Sequence, residues 1–202
     1  MIKFSYNGYI FHITENVYPP SEDSILLLEN IILNPDDIAL EIGTGSGFIA
    51  IQIAKKVKKI LATDISSDAL KNAVENAKLN KIHNIEFRLG DLFTPIMNGE
   101  KFTVIIFNPP YLPTSECDKI NNQLEVAWNG GINGRSVIDK FLFSVKNFLE
   151  DAGRIYLIQS SLSGIEETIS KLRQENFKTK ILARRKYFFE ELAVIEAKKQ
   201  GE

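Results

Sequence analysis

Hydrophobic and polar positions along the chain follow two periods, one of two residues and one of three to four. Lys3–Tyr6 and Tyr9–Ile13 alternate about Asn7-Gly8, the strongest short hairpin signal, because both turn residues must take positive φ. Val17-Tyr18-Pro19-Pro20 is extended by its prolines. Ser21 caps a helix with Glu22 and Asp23 in its first turn, and Ile25, Leu26, Leu28, Ile31 and Ile32 make its buried face. Strands and helices then alternate. Strands are predicted at Ile38–Ile42, Ile60–Thr63, Ile85–Leu89, Phe102–Phe107, Arg154–Gln159, Lys180–Leu182 and Leu192–Ala197. Helices are predicted at Phe48–Val57, from Ser66 or Ser67 to about Asn80, at Val137–Leu149 and at Ile165–Glu175.

Alternating β and α units predict an α/β fold whose mostly parallel sheet is covered on both faces. The nearly unbroken apolar run Phe102–Phe107 belongs at its centre. One long irregular stretch, Tyr111–Gly134, exceeds ordinary loop length, and such loops are usually functional. A length of 202 residues fits one domain over 1–202, with 1–34 forming a hairpin and helix packed on the core. The formal charge of −2 argues against a grip on nucleic acid by bulk electrostatics. With Cys117 the sole cysteine, no intrachain disulfide forms. No apolar run approaches membrane-crossing length and Met1–Phe11 carries no secretory pattern, so a cytoplasmic protein without a membrane partner is expected.

Chemistry concentrates where predicted strands end. Glu41-Ile-Gly43-Thr-Gly45-Ser-Gly47 lies between a strand and a helix, where glycines let backbone approach a ligand at a helix N-terminus. Phe48 stands where the dinucleotide fingerprint needs Gly or Ala, and no Gly-Lys-Ser/Thr ending makes it a Walker loop. Asp64 ends the next strand, 17 residues after Gly47, where an acid can bind both hydroxyls of a ribose. Gly90-Asp91-Leu92 follows the third strand; its carboxylate could accept from an adenine amino group, with Leu92 on the ring. Asn108-Pro109-Pro110-Tyr111 follows the buried fourth strand, and its prolines stop the strand and stiffen the chain.

The glycine loop resembles that of class I S-adenosylmethionine-dependent methyltransferases, and Asn-Pro-Pro-Tyr resembles the motif of their amino-group branch. A planar amide nitrogen is a poor nucleophile because its lone pair is delocalised. The Asn108 side-chain oxygen and the Pro109 carbonyl can accept both N–H bonds and aim that nitrogen at the methyl group, with Tyr111 packed on the flat target. Orientation of this kind can supply up to about 7–11 kcal/mol. Two further stretches, Tyr18-Pro-Pro-Ser-Glu-Asp-Ser-Ile-Leu-Leu-Leu28 and Glu125-Val-Ala-Trp-Asn-Gly-Gly-Ile-Asn-Gly-Arg-Ser-Val-Ile-Asp-Lys-Phe141, resemble the short archaeal and eukaryotic branch of the HemK-like glutamine N5-methyltransferases.

That resemblance implies a seven-stranded class I methyltransferase sheet in the order 3-2-1-4-5-7-6, with the last strand antiparallel. It implies S-adenosylmethionine as cofactor, held by Pro20, Ser24, Glu41, Gly43, Gly45, Gly47, Asp64, Ile65, Asp91, Leu92 and Asn108. Asn108, Pro109, Pro110 and Tyr111 are then catalytic. The implied substrate is the Gly-Gly-Gln loop of a class I translation release factor. The implied partner is a small zinc-binding activator subunit on the edge strand Ile85–Leu89. The alternative target is an amino group of a DNA or RNA base. A silent cofactor-binding scaffold is a third reading, against which the intact Asn108–Tyr111 motif speaks. His12 and His83 have no companions at metal-ligand spacing, so no metal is expected. The clusters Lys55–Lys59 and Arg184–Lys186 read as solvated faces, with Lys119 and Arg135 the basic residues around the long loop. Trp128 is either a lid anchor or packing.

Overall fold

A computed structural model describes residues 1–114 and 123–200; Cys117 and Lys119 lie outside them. The hairpin strands β1 (Ile2–Tyr6) and β2 (Tyr9–Ile13) pair around Asn7 and Gly8, at φ 48° and 81°. Helix α1 (Glu22–Asn30) leads into β3 (Ile38–Ile42), α2 (Phe48–Ile53), β4 (Lys59–Asp64), α3 (Ser67–Leu79), β5 (Ile85–Leu89) and β6 (Phe102–Phe107). Then follow α4 (Ser136–Ser144), β7 (Leu149–Ser160), α5 (Ile165–Gln174), β8 (Phe177–Lys186) and β9 (Glu191–Lys199).

Seven strands form one sheet in the order β5-β4-β3-β6-β7-β9-β8. Counted from β3 this is 3-2-1-4-5-7-6, with β9 antiparallel to both neighbours, as the family resemblance implies. The two faces carry separate cores. Val104 and Ile106 of β6 join Leu27, Ile51, Tyr156 and Val194 on the side of α1–α3. Ile105 and Phe107 join Leu40, Phe141, Leu157 and Ile169 on the side of α4 and α5. Both faces are buried, so the central strand reads as a continuous apolar run.

The N-terminal hairpin is held by more than apolar contact. Phe11 packs on Phe48 with ring centroids 5.3 Å apart. Asparagines on one stripe of α3 complete the free edge of β2. Asn76 Oδ1 accepts from His12 N at 2.9 Å, and Asn72 Nδ2 donates to His12 O at 2.8 Å. Asn80 accepts from Ile10 N and donates to Ile10 O at 2.9 and 2.7 Å. Asn76 Nδ2 also donates to Ser46 O at 2.9 Å, tying the hairpin to the glycine loop. His12 is thus a strand residue, and no metal-binding cluster exists among the described residues.

Several element ends differ from the sequence expectation. Helix α1 stops at Asn30, whose Nδ2 donates to Leu26 O at 2.8 Å. The chain beyond is extended, and Ile32 is exposed while its carbonyl accepts from Arg154 Nη2 at 2.8 Å. Helix α2 ends four residues early because Asn84 Nδ2 takes the Ala54 carbonyl at 2.7 Å, turning the chain toward β4. Helix α4 tightens into a 3₁₀ turn, Val145–Phe148, where Phe148 stacks on Phe93 at 4.4 Å. The long stretch is partly built. A 3₁₀ turn covers Gln123–Ala127, and Leu112 exchanges backbone bonds with Trp128 and Gly130 at 3.1 and 2.9 Å.

Candidate active site

Four parallel strands deliver the site. The segments after β3, β4, β5 and β6 meet at the carboxyl edge of the sheet, where open α/β sheets bind their ligands. A cavity of about 200 Å³ opens there. Pro20, Ser24, Glu41, Gly43, Gly45, Asp64, Ile65, Asp91, Leu92, Asn108 and Pro110 all line it. Leu124, Val126 and Ala127 of the long stretch and Val137 of α4 add apolar wall, the last three from the Glu125–Phe141 stretch that carries the family resemblance.

Gly43, Gly45 and Gly47 all take left-handed conformations, at φ 67°, 56° and 80°. Gly47 does not line the cavity. It is glycine for packing as well as conformation, since a Cβ there would sit 3.1 Å from the Ala73 Cβ. Glu41 braces the loop from below: its Oε2 accepts from Thr44 Oγ1 at 2.6 Å and from Ala50 N at 3.1 Å. Burial raises its pKa to about 8, against the bonds from Thr44 and Ala50. Asp64 is also buried, and its two oxygens accept from Gly45 N and Ser66 N at 2.8 Å each. Burial raises its pKa too, against those bonds. Each carboxylate oxygen has a second lone pair, so acceptor capacity remains at the cavity wall. Asp91 is exposed, and Leu92 holds a left-handed φ of 47°, rare for a branched side chain.

Asn108 carries the most telling geometry. Its Nδ2 donates to Asp23 Oδ2 at 3.1 Å and to Ser24 Oγ at 3.3 Å. Flipping the amide would set its oxygen against the Asp23 carboxylate, so the orientation is fixed. Its Oδ1 is buried and has no hydrogen-bond partner among the described residues. A buried acceptor left unpaired costs about 1–3 kcal/mol, and persistence of such an atom points to a partner that arrives with the reaction.

Tyr111 does not line the cavity. Its ring packs against both cores, and its hydroxyl donates to Asp23 Oδ2 at 3.2 Å. Burial, then the carboxylates of Asp23 and Glu190, push its pKa above the ordinary tyrosine value. Pro109 is buried between Asn108 and Pro110 and does not itself line the cavity. Asp23 is therefore the hub of these contacts, a role beyond the helix-dipole value of its place in the first turn. The signal available was its place in Pro-Pro-Ser-Glu-Asp-Ser. Arg135 is no surface cation: it is buried, donating to the Ser163 and Gly164 carbonyls at 2.6 and 2.9 Å and to Asp139 at 2.7 Å. Lys59 pairs with Glu86, and Arg184 with Glu191 and Glu166, so two members of the surface basic clusters are neutralised locally.

Comparison with known proteins identifies the family. A family model described as a methyltransferase domain matches residues 33–200. A Methanocaldococcus jannaschii protein assigned as a protein N5-glutamine methyltransferase is 50% identical over 182 residues, covering 90% of this chain and 91% of that one. Human methyltransferase HEMK2 is 33% identical over 168 residues, covering 78% of each. The methyltransferase in the structure of the E. cuniculi Mtq2–Trm112 complex, responsible for methylation of the termination factor eRF1, superposes with a TM-score of 0.73. It is 27% identical, with 92% of this chain and 99% of that one covered. The chain therefore belongs to the HemK-like protein N5-glutamine methyltransferases of the class I, S-adenosylmethionine-dependent fold.

Proposed function

We propose that the chain methylates the side-chain amide nitrogen of a protein glutamine, in the Gly-Gly-Gln loop of a class I translation release factor. The observation that carries this reading is the unpartnered Asn108 Oδ1, fixed by Asp23 and Ser24 beside the cavity. It is an acceptor shaped for one N–H of a planar amide, with the Pro109 carbonyl as the second. The names of the relatives supply the glutamine and the termination factor.

The cavity residues fit S-adenosylmethionine, which supplies an electrophilic methyl group when bound. Asp64 and Asp91 offer acceptors for hydroxyl and amino groups, and Ile65 and Leu92 offer apolar faces. A Cβ on Gly45 would meet no protein atom within 4 Å, so that backbone borders open space. Asn108 holds the incoming nitrogen in one orientation, and no strong base is required at the moment of transfer. The proton leaves afterwards. Pro110, Val126 and Ala127 add apolar surface to the wall of the site.

The edge strand β5 pairs with β4 alone, and Leu89 is exposed. We place a small zinc-binding activator subunit on this edge, by strand addition. The likeness to the methyltransferase of the Mtq2–Trm112 complex supports it. No helix among the described residues is long and apolar enough to cross a membrane, and a cytoplasmic site of action suits a translation-factor substrate.

Labelled S-adenosylmethionine tests the substrate. Label should appear in release factor and vanish when its Gly-Gly-Gln glutamine is replaced. Label entering DNA or RNA at a comparable rate would move the assignment to base methylation.

A further inference from the structure

The turn between β8 and β9, Tyr187–Glu190, is exposed where the donor cavity does not reach. Phe188 and Phe189 are 92% and 83% exposed, adjacent, and set edge to face with centroids 4.6 Å apart. Two large adjacent rings in water form an apolar patch with nothing packed on its outer face. The same turn holds two orphaned polar groups: Tyr187 Oη and Glu190 Oε2 are buried without partners among the described residues.

Strand register places this turn. Phe107, the last residue of β6, pairs with Leu157, and Leu157 pairs with Ile195. Glu191 lies four residues farther along β9. At about 3.4 Å per residue, the turn stands roughly 13 Å beyond the level of Phe107, two strands to the side. It is braced there by Glu191 N donating to Ser161 Oγ at 3.0 Å and by Arg185 paired with Glu29 at 3.6 Å. The Glu190 carboxylate lies close enough to Tyr111 to act on its hydroxyl. Tyr111 in turn joins Asp23 and Asn108. Asn108 lines the donor cavity, whereas neither Tyr111 nor the turn does.

We propose that the β8–β9 turn docks the polypeptide that carries the target amide. In this arrangement Phe188 and Phe189 grip an apolar flank of that polypeptide, and Glu190 accepts one of its N–H groups beside Tyr111. The inference rests on the proposed amide methylation and names the surface that presents the substrate. A polypeptide is favoured over a second copy of this chain because the turn adjoins the reactive end of the site. Its unpaired acceptor also suits the N–H groups that any polypeptide loop brings.

The test uses the full chain, labelled S-adenosylmethionine and a class I release factor. Phe188→Ala with Phe189→Ala should raise KM for the release factor at least about tenfold, with kcat and donor affinity little changed. Glu190→Gln should also raise KM while leaving thermal stability equal or higher, because it alters an oxygen buried without a partner among the described residues; a purely structural glutamate would lower stability and leave KM alone. Unchanged KM in all variants, with wild-type methylation intact, overturns the docking proposal only. A wild type that leaves the release factor unmethylated overturns both readings. Loss of a dimer in the double variant, with KM unchanged, assigns the rings to self-association and also overturns it.

Discussion

Asp23 Oδ2 accepts a hydrogen bond from Asn108 Nδ2 at 3.1 Å, joining the first turn of α1 to the end of β6 across 85 residues of sequence. The same oxygen accepts from the Tyr111 hydroxyl, and Oδ1 accepts from Ser24 N and Ser24 Oγ at 2.6 and 3.1 Å. One carboxylate thus orients three groups of the site. Asp23→Ala frees the Asn108 amide to rotate. The methyl-transfer rate should fall about 10²-fold, the scale of misplacing a reacting group by an ångström, while donor affinity by calorimetry stays nearly unchanged.

Asn108→Ala removes the acceptor itself. Turnover at saturating substrate should drop about 10²–10³-fold, comparable to loss of one preorganised polar contact in other active sites. Asn108→Asp keeps an acceptor oxygen but faces Asp23 with a second carboxylate, and partial activity is expected. Near-normal turnover of the alanine variant in single-turnover assays would remove Asn108 from the mechanism.

Asp64 offers the remaining lone pairs of a buried carboxylate to the cavity. Asp64→Ala should weaken binding of S-adenosylmethionine by about 1.5–3 kcal/mol, the value of hydrogen bonds to a charged acceptor. Titration calorimetry reads this directly. Nicotinamide cofactors should give no heat.

Glu41 makes the stability of the fold sensitive to pH. Its folded pKa, about 8, lies above the ordinary 4.5, so the folded state binds its proton more tightly. The stability this group contributes is fully present below about 4.5 and is lost as pH rises through about 8. Glu41→Gln keeps an acceptor for Thr44 and Ala50 but cannot ionise. Wild-type melting temperature should therefore fall relative to the variant between pH 5 and pH 9; parallel curves would show that Glu41 is ionised throughout.

Asn76 joins β2, α3 and the glycine loop through His12 and Ser46. Asn76→Ala should cost about 1–3 kcal/mol for each buried group it strands, read by urea unfolding. Limited proteolysis should then cut first near Asn7-Gly8, because the hairpin loses its clamp.

The parallel strands were legible because β3, β4, β5 and β6 each lead into a residue with chemical character, Gly43, Asp64, Gly90 and Asn108, while their order in the sheet came from the family resemblance. Apolar runs bounded by such punctuation survive without knowledge of the tertiary contacts. What escaped was set by partners distant in sequence. Asn72, Asn76 and Asn80 carry no local signal of their role, yet they complete the edge of β2. Arg135 read as a loop cation and is a buried latch. The full lengths of β8 and β9 were hidden because one face of that edge hairpin is charged, leaving only Lys180–Leu182 and Leu192–Ala197 with an apolar signature. Asp23 escaped for the same reason: its value lies in Asn108 and Tyr111, which no local pattern connects to it.

Mass spectrometry of a release factor incubated with this chain and S-adenosylmethionine tests the central claim most directly. The peptide bearing the Gly-Gly-Gln loop should gain the mass of one methyl group, fragmentation should place it on the glutamine side chain, and Asn108→Ala should abolish the gain. A methyl group on any other residue, or an unmodified glutamine beside methylated nucleic acid, would contradict it.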